Sequence, residues 1–174
     1  MLKVAKFEKV SLAQFKRDLP DLIRDSLTDN AIEELYENIK LPQRATKGSA
    51  GYDFKLPYDI LLSPGETILI PTGIRVKIVD GWVLKLYPRS GLGFKYRLQL
   101  NNTVGIIDSD YYYSANEGHI MAKITNDTNE DKTLTLESGK GFMQGIFVEY
   151  GITVDDENYE KSLRDGGFGS TERS

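Results

Sequence analysis

A mainly all-β fold with a small helical insertion near the N-terminus is the architecture this sequence predicts, and three observations carry the expectation. From Gly51 onward apolar residues recur at period two. Ile74, Val76 and Ile78 alternate with Arg75 and Lys77, and Ile120, Ala122 and Ile124 alternate with Met121 and Lys123. Turn-forming residues interrupt that pattern at short intervals, at Ser63-Pro64-Gly65, Asp80-Gly81, Asn126 to Asp131 and Ser138-Gly139. Between residues 12 and 39 the apolar spacing is instead that of helices. Strands so short and so evenly punctuated point to an antiparallel sandwich or barrel, closed to leave few open edges.

In chain order, the first strand is expected over Phe7 to Val10. Ser11-x-x-Gln14 has the form of a capping box, and Leu12, Phe15, Leu19, Leu22 and Ile23 follow at helical spacing. Pro20 divides that stretch into two short helices, because it lacks the N–H a continuous helix needs. Asn30-x-x-Glu33 opens another, with Ile32, Leu35, Tyr36 and Ile39 on one face. Such amphipathic helices either pack on the main body or dock another protein. Pro88 ends a strand running from Trp82 to Tyr87. No internal repeat is present. The organisation expected is one domain over residues 1–158 and a polar, glycine-rich flexible arm over residues 159–174.

Composition narrows the chemistry. The chain has 174 residues, 40% hydrophobic and 28% charged, as an ordinary soluble domain does. Twenty-two basic residues against 26 acidic ones leave a net charge of −4, which speaks against nucleic acid or an acidic membrane as partner. The absence of cysteine excludes disulfides, a thiol nucleophile and Cys-containing zinc sites. The one histidine, His119, rules out a two-histidine metal motif and reads as a surface residue at a strand end. No apolar run approaches the ~20 residues of a membrane helix. The segment Met1 to Lys6 has no signal-peptide pattern, so a cytoplasmic location is expected. The chemistry must then rest on carboxylates, hydroxyls, amides, arginines and bound metal.

Five polar, glycine-rich segments fall between strands: Ser49 to Asp53, Pro88 to Gly93, Asn102 to Tyr111, Gly139 to Gly145, and the arm with Arg164 and Phe168. Singly, each has a plain structural alternative. Asp53 and Asp108 are either functional carboxylates or turn residues bonded to their own backbone. Arg89-Ser90-Gly91 is either a phosphate nest or ordinary loop. Tyr111 to Tyr113 are core, surface or site aromatics, and Gln144 either pairs within a strand or faces a ligand.

Together, and in this order, the segments resemble the five motifs of the trimeric deoxyuridine triphosphate nucleotidohydrolases (dUTPases), over about residues 40–172. Ser49-Ala50-Gly51-Tyr52-Asp53 is similar to motif one, Pro88-Arg89-Ser90-Gly91 to motif two, and Gly105-Ile106-Ile107-Asp108-Ser109-Asp110-Tyr111, preceded by Asn102, to motif three. Motif four keeps Gln144. Motif five keeps Arg164 and Gly166-Gly167-Phe168-Gly169-Ser170-Thr171.

The resemblance implies a jelly-roll-like distorted β-barrel and hydrolysis of dUTP to dUMP and pyrophosphate by water attack on the α-phosphorus. It implies Asp108 as general base and Asp53 as the residue holding a hydrated Mg²⁺, through water. Arg89, Gln144 and Arg164 become phosphate-facing donors, while Ser90, Gly91, Gly105, Gly169 and Ser170 complete the substrate contacts. Asn102 reads the uracil edge on a β-hairpin, Tyr111 packs under the deoxyribose where a 2′-hydroxyl would clash, and Phe168 stacks on the base as the arm closes. A homotrimer with shared active sites is part of the same implication.

Five departures from the family pattern accompany it. Residues 12–39 form an insertion, and Tyr112-Tyr113-Ser114-Ala115-Asn116 lengthens motif three. Gly141 replaces a common Arg of motif four, leaving Lys140 as the substitute charge or an ion pair lost. In the arm, the spacing between Arg164 and Gly166 is one residue short of the commonest pattern, and Glu172 replaces a usual glycine. The first two departures favour a second reading, a nucleotide-gated regulatory protein with a partner at 12–39 or at the lengthened motif three. A dCTP deaminase, which shares the fold, matches the segments less well.

Overall fold

Ser11 starts the first helix as its sequence suggests. In the computed structural model, which describes residues 1–156, β1 (Ala5–Lys9) leads to α1 (Leu12–Asp18), and Ser11 Oγ accepts the Gln14 N–H at 3.1 Å. The return bond of a capping box is not made by Gln14. Glu117, distant in sequence, accepts the Ser11 N–H at 2.7 Å and the Ser11 hydroxyl at 2.6 Å. Pro20 stands immediately before α2 (Asp21–Ser26). The third helix, α3 (Asp29–Asn38), begins ahead of the expected Asn30 because Thr28 is the cap, its Oγ1 accepting from Ala31 N–H at 3.3 Å. Phe15, Leu19, Ile32 and Ile39 are buried in the common core, so α1 and α3 use their apolar faces on the body of the domain, while α2 has no buried residue and leaves Leu22 exposed. A side chain such as Phe15, fully buried, contributes about 1.5–3 kcal/mol.

The remaining elements are β2 (Gln43–Arg44), β3 (Tyr52–Lys55), β4 (Ile60–Leu62), β5 (Thr67–Pro71), β6 (Ile74–Ile78), β7 (Trp82–Pro88), α4 (Ser90–Tyr96), β8 (Leu98–Leu100), β9 (Gly105–Ile107), a 3-10 turn (Ser109–Tyr113), β10 (Met121–Asn126), β11 (Leu134–Leu136) and β12 (Gly141–Glu149). The predicted turn signals fall between consecutive strands, except that Asn126 itself belongs to β10. The pairings are antiparallel and build a five-stranded sheet ordered β2-β3-β12-β7-β9, a three-stranded sheet β5-β10-β8, and the pairs β1-β6 and β4-β11. The architecture is jelly-roll-like and mostly β, with the helices confined mainly to one insertion. Phe54, Ile70, Leu84, Leu86, Ile107, Ile124, Leu134, Phe142 and Met143 fill the space between the sheets.

Two expectations are corrected. His119 is not a surface residue: it is 0% exposed, because α1 covers it. Its Nδ1 lies 2.6 Å from Asp18 Oδ2, and its Nε2 accepts the Gly73 N–H at 2.8 Å. The segment carrying Asn102 is not the tip of a paired hairpin. β8 joins β10 in one sheet and β9 joins β7 in another, and the turn between them, with Thr103 at φ 65°, carries the chain across. The proposed arm residues Arg164, Phe168, Gly169 and Ser170 lie outside the described residues.

Candidate active site

Sheet register assembles most of the site. Asp53 on β3 stands opposite Gln144 on β12, and Gln144 stands opposite Tyr87 on β7. Pro88, Arg89 and Ser90 follow directly, so motifs one, two and four meet at one end of the five-stranded sheet. Two glycines open room there. A Cβ on Gly51 would lie 2.6 Å from Gln144 Oε1, so the Gln144 amide occupies the space over motif one. A Cβ on Gly141 would lie 2.8 Å from Arg89 Nη1 and 3.2 Å from Arg89 Cδ. The Arg89 guanidinium thus fills the volume left at position 141 and sits with Nε 3.5 Å from Asp53 Oδ1.

The departure at position 141 is thereby explained. The charge near it comes from Arg89, whereas Lys140 turns to Glu137, 4.0 Å away. The sequence signal existed, a glycine in a strand, but its partner was not legible.

Arg89, Ser90, Gly91, Glu137, Lys140 and Gly141 line a cleft of about 540 Å³, a volume suited to a nucleotide. Ser90 and Gly91 open α4, where backbone N–H groups have no acceptor within the helix. Guanidinium, hydroxyl and outward amides make this a place for phosphate oxygens. Among the described residues no three Asp, Glu or His side chains converge to hold a metal by themselves. A lone carboxylate such as Asp53 suits Mg²⁺, which keeps several waters and takes further ligands from phosphates.

Motif three lies elsewhere. Gly105 pairs with Leu86, and a Cβ there would be 3.0 Å from Leu86 Cβ. β9 then runs back along β7, with Ile107 opposite Leu84, so Asp108 falls near Val83. At about 3.3 Å per residue and 4.8 Å per strand, Asp108 is about 20 Å from Asp53 and from Arg89. One chain does not bring Asp108 and the Arg89 cleft together.

Asp108 is partly exposed and stands at the N-cap position of the 3-10 turn. Tyr111 is 2% exposed, donates its hydroxyl proton to His119 O at 2.8 Å, and accepts from Asn116 Nδ2 at 2.9 Å. Tyr112 lies under the Arg75 guanidinium at 3.7 Å and donates to Glu8 at 2.6 Å. Asn102 is on the rim of a separate apolar cavity of about 400 Å³, with Leu86, Leu100, Gly105 and Met121. Reading residue by residue missed Asn116, Glu117 and His119, which hold motif three in place.

The fold and site define an antiparallel β-barrel protein with a glycine-opened cleft that carries Arg89, Ser90 and Lys140. Comparison with known proteins narrows this. A family model described as dUTPase matches residues 37–172, which leaves out most of the helical insertion. A deoxyuridine 5′-triphosphate nucleotidohydrolase of Lactococcus lactis is 43% identical over 139 residues, covering 78% of this chain and 91% of its own. One from Hahella chejuensis is 41% identical over 145 residues, covering 80% and 91%. The crystal structure of dUTPase from Streptococcus mutans superposes with a TM-score of 0.62 at 36% identity, covering 84% of this chain and 97% of its own. The fold alone is shared with a mutant dUTPase from a phage of S. aureus, whose structure concerns a structural Mg(II) ion, at 24% identity and TM-score 0.57 over 74% and 92% of the two chains. The chain belongs to the dUTPase family.

Proposed function

We propose that this protein hydrolyses dUTP to dUMP and pyrophosphate, Mg²⁺-dependent, as a homotrimer whose sites are shared between copies. The shared site is supported by strand register, which sets Asp108 past Ile107 at one end of β7 and Arg89 past Pro88 at the other, about 20 Å apart by ideal strand spacing. The convergence of Asp53, Arg89, Ser90 and Gln144 supports the phosphate reading.

Arg89 and Gln144 hold the triphosphate with the first turn of α4, and Arg164 adds a charge from the arm. Asp53 would hold a hydrated Mg²⁺ through water, and the ion would supply neutralisation of phosphate charge there. Asp108 of a neighbouring copy orients a water and takes its proton. The water oxygen bonds to the α-phosphorus, the bridge to the β-phosphorus breaks, and pyrophosphate leaves with the bond's electrons. Asn102 reads the uracil edge, and Gly105 permits the close approach of β9 to Leu86 behind it. Tyr111 lies under the deoxyribose and excludes a 2′-hydroxyl. Phe168, with Gly169 and Ser170, closes over the base. The setting is cytoplasmic, in line with a chain free of cysteine.

Pyrophosphate release assayed with dUTP, dTTP, UTP and dCTP, with EDTA or added Mg²⁺, tests this. Release from dUTP alone, abolished by EDTA and restored by Mg²⁺, is expected. Ammonia from dCTP would replace the proposal with deamination. Light scattering that gives a monomer retaining full turnover would remove the shared site.

A further inference from the structure

The two large departures from the family, the helical insertion and the lengthened motif three, are bonded to each other. Asp18 at the end of α1 is joined to buried His119. Because the Gly73 N–H donates to Nε2, the proton of the neutral ring sits on Nδ1 and is given to Asp18. Gln14 Nε2 also donates to Asp18, at 2.7 Å, and the Phe15 ring lies 6.4 Å from the imidazole. The main-chain oxygen of His119 then accepts the Tyr111 hydroxyl, while Asn116 Nδ2 bonds that same hydroxyl. Ser11 grips Glu117 with both N–H and hydroxyl. Gly118, at φ +70°, lets the returning chain pass so close that a Cβ would lie 2.7 Å from Tyr111 O. Asp108 stands at the N-cap of the 3-10 turn that holds Tyr111, and its carbonyl accepts the Tyr111 N–H at 3.2 Å, so whatever fixes the tyrosine also fixes the start of that turn.

We propose that Asp18 and His119 are positioning residues, and that the helical insertion braces Tyr111 and the Asp108 turn through them, setting discrimination against ribonucleotides. The inference rests on the reading of Tyr111 as the sugar platform. An ordinary packing role would lower thermal stability and leave substrate choice alone. A brace acts on selectivity, since a platform displaced by a fraction of an ångström admits a 2′-hydroxyl and misplaces the base.

The test compares kcat and KM for dUTP and UTP in the full-length chain, with melting followed in parallel. Asp18→Ala is expected to reduce the dUTP-over-UTP preference about tenfold, and to act on dUTP through kcat with KM changed less than about threefold. Asp18→Asn keeps an oxygen to accept the His119 proton and restores most of the preference. Asn116→Ala, which removes a bond to the Tyr111 hydroxyl without touching α1, shifts the preference in the same direction and serves if Asp18→Ala does not fold. Leu22→Ala, on the exposed face of α2, leaves both kcat and preference unchanged. Wild-type preference in folded Asp18→Ala or Asn116→Ala overturns the brace, provided Tyr111→Ala has lost it. Wild-type preference in Tyr111→Ala overturns the reading of the platform itself, and the brace with it.

Discussion

A methyl group at position 141 separates stability from catalysis in this protein. Gly141 lies in β12 without a left-handed backbone, so Gly141→Ala introduces no φ strain. It narrows the unfolded ensemble, which stabilises by about 0.4–1 kcal/mol. The new Cβ, however, would stand 2.8 Å from Arg89 Nη1 and must displace the guanidinium. The partly exposed Arg89–Asp53 pair is then lost at a cost of about 0–1 kcal/mol, so net stability stays near that of the parent. Binding of phosphate suffers more. One misplaced charge-assisted hydrogen bond costs about 1.5–3 kcal/mol, or about 10–150-fold in kcat/KM. Calorimetric melting and steady-state pyrophosphate release with dUTP measure both sides, with Arg89→Ala as comparison. A Gly141→Ala protein with kcat/KM within about twofold of the parent, while Arg89→Ala is impaired, would refute the claim that the missing side chain is what admits the arginine.

Asp108→Asn is expected to lose about 10³ in turnover while still binding a non-hydrolysable dUTP analogue by titration calorimetry; near-normal turnover would take Asp108 out of the reaction. Gly73→Ala pairs a φ of +72° with a Cβ 2.3 Å from Ile39 Cδ1, and should cost about 2–3 kcal/mol, seen as a melting point lower by about 4–12 °C. An unchanged melting point would mean that the insertion does not seat on Gly73. Acid should loosen the insertion. Burial pushes the Asp18 carboxyl up, but hydrogen bonds from His119 and Gln14 outweigh it, so the group lies below its ordinary 3.8. Burial likewise raises Glu117, and the Ser11 hydroxyl and N–H bring it below 4.5. Depressed carboxyls stabilise the fold above their unfolded values and lose that contribution as pH falls through the folded ones, so melting should drop from about pH 5 downward and less steeply in Asp18→Asn. A decline of equal slope in parent and variant would exclude Asp18 as its source.

Much of the β framework was legible because each strand and turn is coded locally. The alternation at Ile74 to Ile78 needs only the pleat, and Ser63-Pro64-Gly65 needs only turn chemistry. Helix starts are legible to within a residue or two, since caps act over one turn: Ser11 caps α1 as its sequence suggests, whereas Thr28 and not Asn30 caps α3. The burial of His119 is not legible in the sequence, because a single polar residue beside a strand carries no local mark of burial. Its surroundings come from Asp18 and Gly73, 101 and 46 residues away in the chain.

The order of residue types along the chain thus determined the class of fold, the turn positions, and which arginine, amide and carboxylate side chains are candidates for the site. Only the tertiary structure decided which of them meet. Register between strands far apart in sequence depends on burying both apolar faces at once, and a shift of one residue would turn Asp53 and Gln144 to the other face of the sheet. That same register sets Asp108 and Arg89 at opposite ends of β7, and lets the bare backbone at Gly141 take in a guanidinium from another strand.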